Sequence, residues 1–221
     1  MQKALTLYDT TIGKKALMAV TGVVLFGFVI AHMVGNLQVF LGPEQLNGYA
    51  KKLHDLGPLL WIARGILLAS VVAHVVVAVQ LVSRSVAARP VGYRQKKNTA
   101  TSYAARTMRV SGPLLALFII FHLAHFTVPG VPMGNYEHNA RDVYANVVQA
   151  FSIPWVSGVY IAAQLLLGFH LYHGAWSLFQ SLGLSHPRYD DKKRMAAQTL
   201  AMVVMFGNIA MPVAVLAGIV K

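Results

Sequence analysis

The stretch KALMAVTGVVLFGFVIAHMVGNLQVF, residues 15–40, is apolar almost throughout after its first lysine. A helix needs roughly 20 residues to cross the hydrocarbon core of a bilayer, and this stretch exceeds that length. It is also longer than the apolar part of a signal peptide, and no small-residue cleavage site follows it. The stretch therefore predicts a membrane-spanning helix that stays in the chain.

The composition extends this prediction to the whole chain of 221 residues. Hydrophobic residues make up 56% and charged residues 12%, which is too little charge to cover a soluble globule of this size. Backbone groups in lipid must be bonded internally, and the apolar segments lack the alternation of barrel strands. We therefore expect an all-α membrane protein, a single domain over 1–221, with five transmembrane helices at about 15–40, 58–83, 109–129, 154–182 and 196–220.

The positive charges predict the orientation of this bundle. Of the nineteen Lys and Arg residues, fourteen fall on one predicted side: Lys3, Lys14, Lys15, Arg84, Arg89, Arg94, Lys96, Lys97, Arg106, Arg109, Arg188, Lys192, Lys193 and Arg194. Because positive residues concentrate in cytoplasmic loops, we expect a cytoplasmic N-terminus in the cell's inner (cytoplasmic) membrane. The net charge of +12 matches this rule, so nucleic acid is not an expected partner. The basic rim would face anionic lipid or dock a peripheral protein.

Four of the five predicted helices carry histidines, namely His32, His74, His122 with His125, and His170 with His173. An ionisable group inside a membrane is costly and indicates function, although one histidine alone could serve helix packing. Counting from the cytoplasmic end at about 1.5 Å per residue puts His32 and His122 roughly 20–25 Å deep. The same count puts His74 and His170 roughly 15 Å deep.

Two histidine pairs at two depths are typical of two b-type haems, each held by one imidazole on either face of the iron. The expected pairs are His32 with His122 and His74 with His170. The second histidine of each HxxH sequence, His125 and His173, is predicted to lie beyond its haem. Each would bond a propionate or quinone, relay protons, or be a polar interfacial residue.

Two other metal sites remain alternatives. A membrane di-iron oxygenase gathers many histidines with carboxylate help at one rim, whereas no Asp or Glu lies inside the predicted helices. A closed zinc site would need four ligands at one depth. The chain has no cysteine, so it forms no disulfide, thiolate zinc site or iron–sulfur cluster of its own. A haem-free structural anchor, in which the histidines only pack, is the third alternative.

The runs RVSGPLLALFIIFHLAHF (109–126) and FHLYHGAWSLFQSLG (169–183), with His32 and His74, resemble the cytochrome b558 subunit of succinate dehydrogenase and fumarate reductase. That family is a single-chain, five-helix, di-haem membrane anchor. The resemblance implies the same ligand pairs. It implies electron transfer from an iron–sulfur subunit at the cytoplasmic face, through two haem b groups, to a quinone, more often menaquinone. The dicarboxylate chemistry would belong to a partner flavoprotein that holds FAD, and the reverse direction, fumarate reduction, would use the same parts.

Candidate quinone and propionate partners lie outside the helix centres. His54 and Asp55 are candidates for bonding the quinone, with a helix cap or a solvated loop as the alternative. Arg64 and Arg109 are candidate partners of haem propionates, with snorkelling to the interface as the alternative. One departure concerns proton transfer, since members that move protons with the electrons carry a glutamate where this chain has Gly168.

Overall fold

A computed structural model describes residues 6–89, 91, 101–128 and 138–221. Over these residues the chain forms α-helices, short 3-10 turns and loops, without a β-strand. The helices are α1 (Thr11–Asn36), α2 (Pro43–Asp55), α3 (Pro58–Ala87), α4 (Tyr103–Phe126), α5 (Val143–Phe151), α6 (Pro154–Ser181) and α7 (Pro187–Leu216). Five of them, α1, α3, α4, α6 and α7, are long and apolar enough to cross a membrane. The predicted fold class is confirmed, while the cytoplasmic N-terminus stays a prediction.

Three spanning helices begin earlier than predicted because their first turns are polar. The side chain of Thr10 caps α1 by accepting a hydrogen bond from the Gly13 amide at 2.9 Å, so α1 begins at Thr11 rather than at 15. Ser102 caps α4 in the same way, and α7 begins at Pro187, nine residues before the predicted 196. Capping side chains stabilise a helix end outside the apolar core, and hydropathy alone does not register that.

The other helix ends differ less. Proline occupies the first turn of α3 and α6, whose starts at 58 and 154 are as predicted. The apolar stretch at 15–40 is α-helical as far as Asn36 and continues as a 3-10 turn to Leu41. After α7 the chain turns at Gly218, which has φ +69, the conformation that favours glycine at a helix end.

Some expectations fall on residues that the structure does not describe. The predicted end of the third span at 129 is one of them. Four basic residues of the predicted cytoplasmic rim also lie outside the described ranges, and they are Lys3, Arg94, Lys96 and Lys97.

Helices α2 and α5 lie where the sequence predicts only loops, and they form a cap on one end of the bundle. Asn47 of α2 donates its amide to the Asp142 carboxylate at 3.0 Å and accepts the Tyr144 amide at 3.0 Å. Asp142 in turn caps α5 by accepting from the Ala145 amide at 2.9 Å. We call this the cap end, and the opposite end, where α1 and α7 begin, the basic end.

Contacts between the spanning helices form a closed ring. Helix α1 packs against α3, α3 against α4, α4 against α6, and α6 back against α1. In such a ring α1 faces α4 across one diagonal, and α3 faces α6 across the other. Helix α7 lies outside the ring against α6 and α1. This arrangement decides which histidines can meet.

Close packing holds α7 in place. A Cβ atom on Gly168 of α6 would lie 2.7 Å from the sulfur of Met205, and one on Gly207 of α7 would lie 2.5 Å from the sulfur of Met33. Glycine at these positions lets the helices approach, as is common between membrane helices. Gly168 therefore serves contact with α7 rather than with a ligand in the ring.

Candidate functional site

The histidines of the four ring helices meet in two pairs. The rings of His32 on α1 and His122 on α4 lie 5.7 Å apart, measured between centroids. The rings of His74 on α3 and His170 on α6 lie 6.3 Å apart. Each pair spans one diagonal of the ring, and these are the two pairs that depth counting predicts.

The two pairs lie at different levels of the bundle. On α6, Tyr160 contacts His122 and His170 is ten residues further along, which is about 15 Å at the helical rise. On α1, Thr21 contacts His74 and His32 is eleven residues further along, or about 16 Å. The counts along α6 and α1 thus give nearly the same separation between the two histidine levels. His32 and His122 lie nearer the cap end.

The separation within each pair suits two imidazoles on opposite faces of one metal ion. Imidazole nitrogen binds first-row metals at about 2 Å, and a ring centroid lies about 1 Å behind its nitrogen, so two trans rings stand roughly 6 Å apart between centroids. The observed 5.7 and 6.3 Å bracket this value. Both pairs therefore fit bis-histidine ligation of a haem.

The hydrogen bond of His74 also fits this chemistry. Its Nδ1 atom lies 3.0 Å from the hydroxyl oxygen of Thr21, and that hydroxyl donates its own hydrogen to the backbone carbonyl of Leu17 at 2.8 Å. With the hydroxyl hydrogen on Leu17, the oxygen is free to accept the Nδ1–H of His74. That tautomer leaves Nε2 without a hydrogen, as a metal ligand requires.

His170 makes no packing hydrogen bond that would explain its burial. Its Nδ1 atom is buried and has no hydrogen-bond partner among the described residues. Coordination of an iron through Nε2 would leave this Nδ1 without a partner as well, so its burial does not distinguish a ligand from a packing residue. The case for His170 as a ligand rests on its position opposite His74.

His32 differs from His74 in its hydrogen bond. The side-chain amide of Asn36, one turn along the same helix, donates to Nε2 of His32 at 3.0 Å. Coordination through Nε2 would displace this bond, because both use the same lone pair. Asn36 is half-buried, and its side chain would have to rotate away for His32 to bind a metal through Nε2.

His122 shares a tyrosine with His125. The hydroxyl of Tyr160 lies 3.2 Å from Nδ1 of His122 and 3.1 Å from Nδ1 of His125. His125 is 1% exposed and Tyr160 is 6% exposed, so the network lies in the protein core. The sequence places His125 at the interface beyond its haem, whereas the structure buries it behind His122.

The remaining sequence candidates do not join the pairs. Arg64 is exposed and stacks on the ring of Trp61, at 4.9 Å from guanidinium carbon to centroid, which is the snorkelling alternative. Arg109 is exposed, and His173 is half-buried on α6, one turn from His170 toward the basic end.

The quinone candidates end helix α2 at the cap end. His54 and Asp55 are both exposed, and Asp55 pairs with Lys51 at 2.8 Å. The cap position of α3 belongs to Gly57, so Asp55 does not cap that helix. The two side chains face solvent or headgroups at the mouth of α3.

Sequence reasoning missed two polar residues that the structure places beside the pairs, Thr21 and Tyr160, and it also missed the burial of Lys14 nearer the basic end. Lys14 is 4% exposed, donates to the side-chain oxygen of Gln80, and lies 3.7 Å from the centroid of the Tyr8 ring. No carboxylate lies within 4.0 Å of its ammonium group among the described residues. A polar side chain in an apolar helix was the available signal for each of them.

No protein family model, curated protein or solved structure matches this chain.

Proposed function

We propose that this chain is the di-haem cytochrome b anchor of a succinate:quinone oxidoreductase. The observation that carries the proposal is the presence of two histidine pairs, 5.7 and 6.3 Å apart, on the two diagonals of one helical ring. His32 and His122 would hold the haem nearer the cap end, and His74 and His170 the haem nearer the basic end. The sequence resemblance to the cytochrome b558 family supports the same pairing.

A bis-histidine haem supplies reversible one-electron transfer and leaves no iron position open to a substrate. The chain's own residues hold and orient the ligands for that purpose. Thr21 fixes the tautomer of His74, Tyr160 contacts His122, and the apolar faces of the four helices exclude water. The levels, about 15 Å apart along the bundle, would form a two-step path across the membrane.

The expected partner subunits are those that would hold the cofactors for which this chain has no ligands. It has no cysteine, so iron–sulfur clusters would reside in a partner subunit at the basic end, and FAD with the succinate chemistry in a second partner. Electrons would enter at the pair formed by His74 and His170 and leave toward quinone, with menaquinone the expected type, at the cap end. This orientation makes the basic end cytoplasmic. Fumarate reduction would run the same path in reverse.

Lys14 is a further candidate for contact with the haem near the basic end. It lies seven residues from Thr21 on α1, about 10 Å toward the basic end from the level of His74. The direct partners of this buried ammonium group are neutral, and the Asp9 carboxylate acts on it from more than 4.0 Å away, so a haem propionate would supply a closer negative charge. Lys14 thus joins Arg109 as a candidate propionate partner near the basic end.

The alternatives fit the geometry less well. A di-iron oxygenase or a zinc site needs three or more ligands together, whereas each diagonal of the ring brings two imidazoles together. A haem-free anchor would not require the two pairs to share the spacing of trans ligands. The absent glutamate at Gly168 argues against a proton path there, because Met205 fills the space.

A pyridine haemochrome assay and a reduced-minus-oxidised spectrum of the purified membrane subunit test the proposal. We expect two b haems per chain and a low-spin spectrum. A protein purified from haem-sufficient cells with no Soret band would refute the proposed function.

A further inference from the structure

We propose that Tyr160, supported by His125, is a positioning residue that fixes the tautomer and ring orientation of His122. Its hydroxyl oxygen would accept the Nδ1–H of His122, and its hydrogen would be donated to Nδ1 of His125. This inference rests on the proposed function, because it concerns His122 as a haem ligand. It assigns His125 a place behind the ligand instead of a propionate, quinone or proton-relay role.

The single hydrogen of a hydroxyl limits the arrangements. Tyr160 lies 3.2 Å from Nδ1 of His122 and 3.1 Å from Nδ1 of His125, and it can donate to only one of them. Where it donates to one histidine, its oxygen accepts from the other, and these two patterns differ in which histidine carries hydrogen on Nδ1. In a third pattern the oxygen accepts from both histidines, because it has two lone pairs.

Ligation excludes the pattern in which Tyr160 donates to His122. His122 must present Nε2 without a hydrogen to a metal, so its hydrogen resides on Nδ1 and Tyr160 accepts it. The proposed arrangement places the tyrosine hydrogen on Nδ1 of His125, which lies 3.1 Å from the hydroxyl. His125 in this pattern is the group that keeps the tyrosine hydrogen turned away from the ligand.

The surroundings keep the network in this geometry. Aromatic rings enclose Tyr160, with centroid distances of 5.0 Å to Phe118, 5.8 Å to Phe121, 5.9 Å to Phe126 and 5.0 Å to Phe151. These apolar walls give a bridging water few polar partners, so water is a poor substitute for the hydroxyl. Removal of the hydroxyl would leave the Nδ1–H of His122 without its acceptor.

Loss of the tyrosine hydroxyl should shift the midpoint potential of the neighbouring haem in one direction. An acceptor on Nδ1–H makes the imidazole a stronger donor to the metal and favours the ferric state. Loss of that acceptor should raise the midpoint potential of the haem held by His32 and His122. The other haem, whose ligand His74 is bonded to Thr21, should keep its potential.

The experiment compares Tyr160→Phe with Tyr172→Phe in the assembled, haem-loaded protein. Tyr172 lies on the same helix at the other level and is half-buried, so it controls for loss of a tyrosine hydroxyl. We expect Tyr160→Phe to raise one midpoint potential and to shift the ferric low-spin EPR signal of that haem alone. Unchanged potentials and EPR signals in Tyr160→Phe would overturn the proposal.

A second pair of variants covers the case in which Tyr160→Phe does not retain the haem. In His125→Asn the amide oxygen can take the place of Nδ1 as acceptor for the tyrosine hydroxyl, whereas His125→Leu has no acceptor. We expect the potential and EPR signal of wild type in His125→Asn and a shifted signal in His125→Leu. The same signal in both variants would contradict the proposed arrangement.

A haem-independent measurement separates this inference from the proposed function. In haem-free protein labelled with 15N-histidine, replacing Tyr160 should change the imidazole 15N shifts of His122 and His125 and leave those of His170 unchanged. Unchanged shifts of His122 and His125 would overturn the positioning proposal. Absence of haem from the wild-type protein, by contrast, would overturn the proposed function alone.

Discussion

Nδ1 of His74 on α3 lies 3.0 Å from the hydroxyl oxygen of Thr21 on α1, and that hydroxyl donates to the backbone of its own helix. One helix thus sets the tautomer of a histidine on its neighbour. On the opposite side of the ring, α6 contacts His122 of α4 through Tyr160. In both pairs, a side chain on an adjacent helix orients one histidine of the diagonal.

The substitution Thr21→Val tests the first of these contacts. Valine keeps the shape of threonine but cannot accept the Nδ1–H of His74, so we expect the affinity for the haem at His74 to fall by roughly 10–100-fold. Its midpoint potential should rise for the same reason. Redox titration and haem content check this, with Thr21→Ser as the variant that restores both. Equal haem retention in the valine and serine variants would contradict the assignment.

Single alanine substitutions test the pairing of the ligands. We expect His32→Ala and His122→Ala to lose the same haem, and His74→Ala and His170→Ala to lose the other, because each haem needs both of its ligands. His125→Ala should retain two haems, since His125 lies behind the ligand. Potentiometric titration of each variant identifies the missing haem. Loss of the haem at His32 from His125→Ala, with its retention in His122→Ala, would show that His125 is the ligand.

A charge-removing substitution tests the contact proposed for Lys14. We expect Lys14→Met to weaken retention of the haem near the basic end, because its propionate would lose a cationic partner in the low-dielectric interior. Lys15→Met removes an exposed charge one residue away and should leave retention unchanged. Haem loss on dilution in detergent, followed at the Soret band, measures the difference. Equal loss from both variants would rule out a specific contact.

The sequence predicted the five spans and the histidine pairs because hydropathy and helical rise are one-dimensional properties. A count along each helix gives the depth of a residue directly. No other information was needed to expect two levels of histidine, with His32 and His122 at one and His74 and His170 at the other. Helices α2 and α5 were predicted as loops because they are short and partly polar, and their contacts involve residues distant in sequence. Asn47 and Asp142, for example, are bonded across the cap.

The neighbours of the ligands could not be predicted in the same way. Thr21 and Tyr160 lie on different helices from the histidines that they contact, so their roles depend on how the helices are rotated and arranged. Gly168 likewise is two residues from His170 in the sequence, but the rotation of α6 directs it at Met205 of α7. Rotation about the helix axis is set by packing, which sequence spacing in one helix does not specify.

Overpacking at Gly168 gives a prediction for stability. An added Cβ atom would lie 2.7 Å from the sulfur of Met205, so we expect Gly168→Ala to destabilise the bundle by about 1–3 kcal/mol. Gly158→Ala, on the same helix with no atom within 4 Å of the added Cβ, should be neutral or slightly stabilising because alanine favours helix. Thermal unfolding in detergent compares them. Equal midpoints for the two variants would show that α6 and α7 do not pack this closely.

The cap end gives a prediction that depends on pH. The amide of Ala145, followed by the side chain of Asn47, holds the pKa of the Asp142 carboxyl below its ordinary value of 3.8. A carboxyl with a lowered folded-state pKa stabilises the fold above its unfolded pKa, and this contribution is lost as the pH falls through the folded value. The cap should therefore be intact above about pH 4 and weaken only in stronger acid.

Two variants of Asp142 distinguish its role as the cap of α5 from the effect of its negative charge. We expect Asp142→Ala to destabilise α5 by about 1 kcal/mol at neutral pH, as for other lost helix caps, while Asp142→Asn keeps the cap. The Ala145 amide signal, followed by NMR in a lipid nanodisc, should titrate below pH 3.8 in wild type and should not titrate in Asp142→Asn. A midpoint above that value, or the same titration in the asparagine variant, would show that Asp142 does not cap α5.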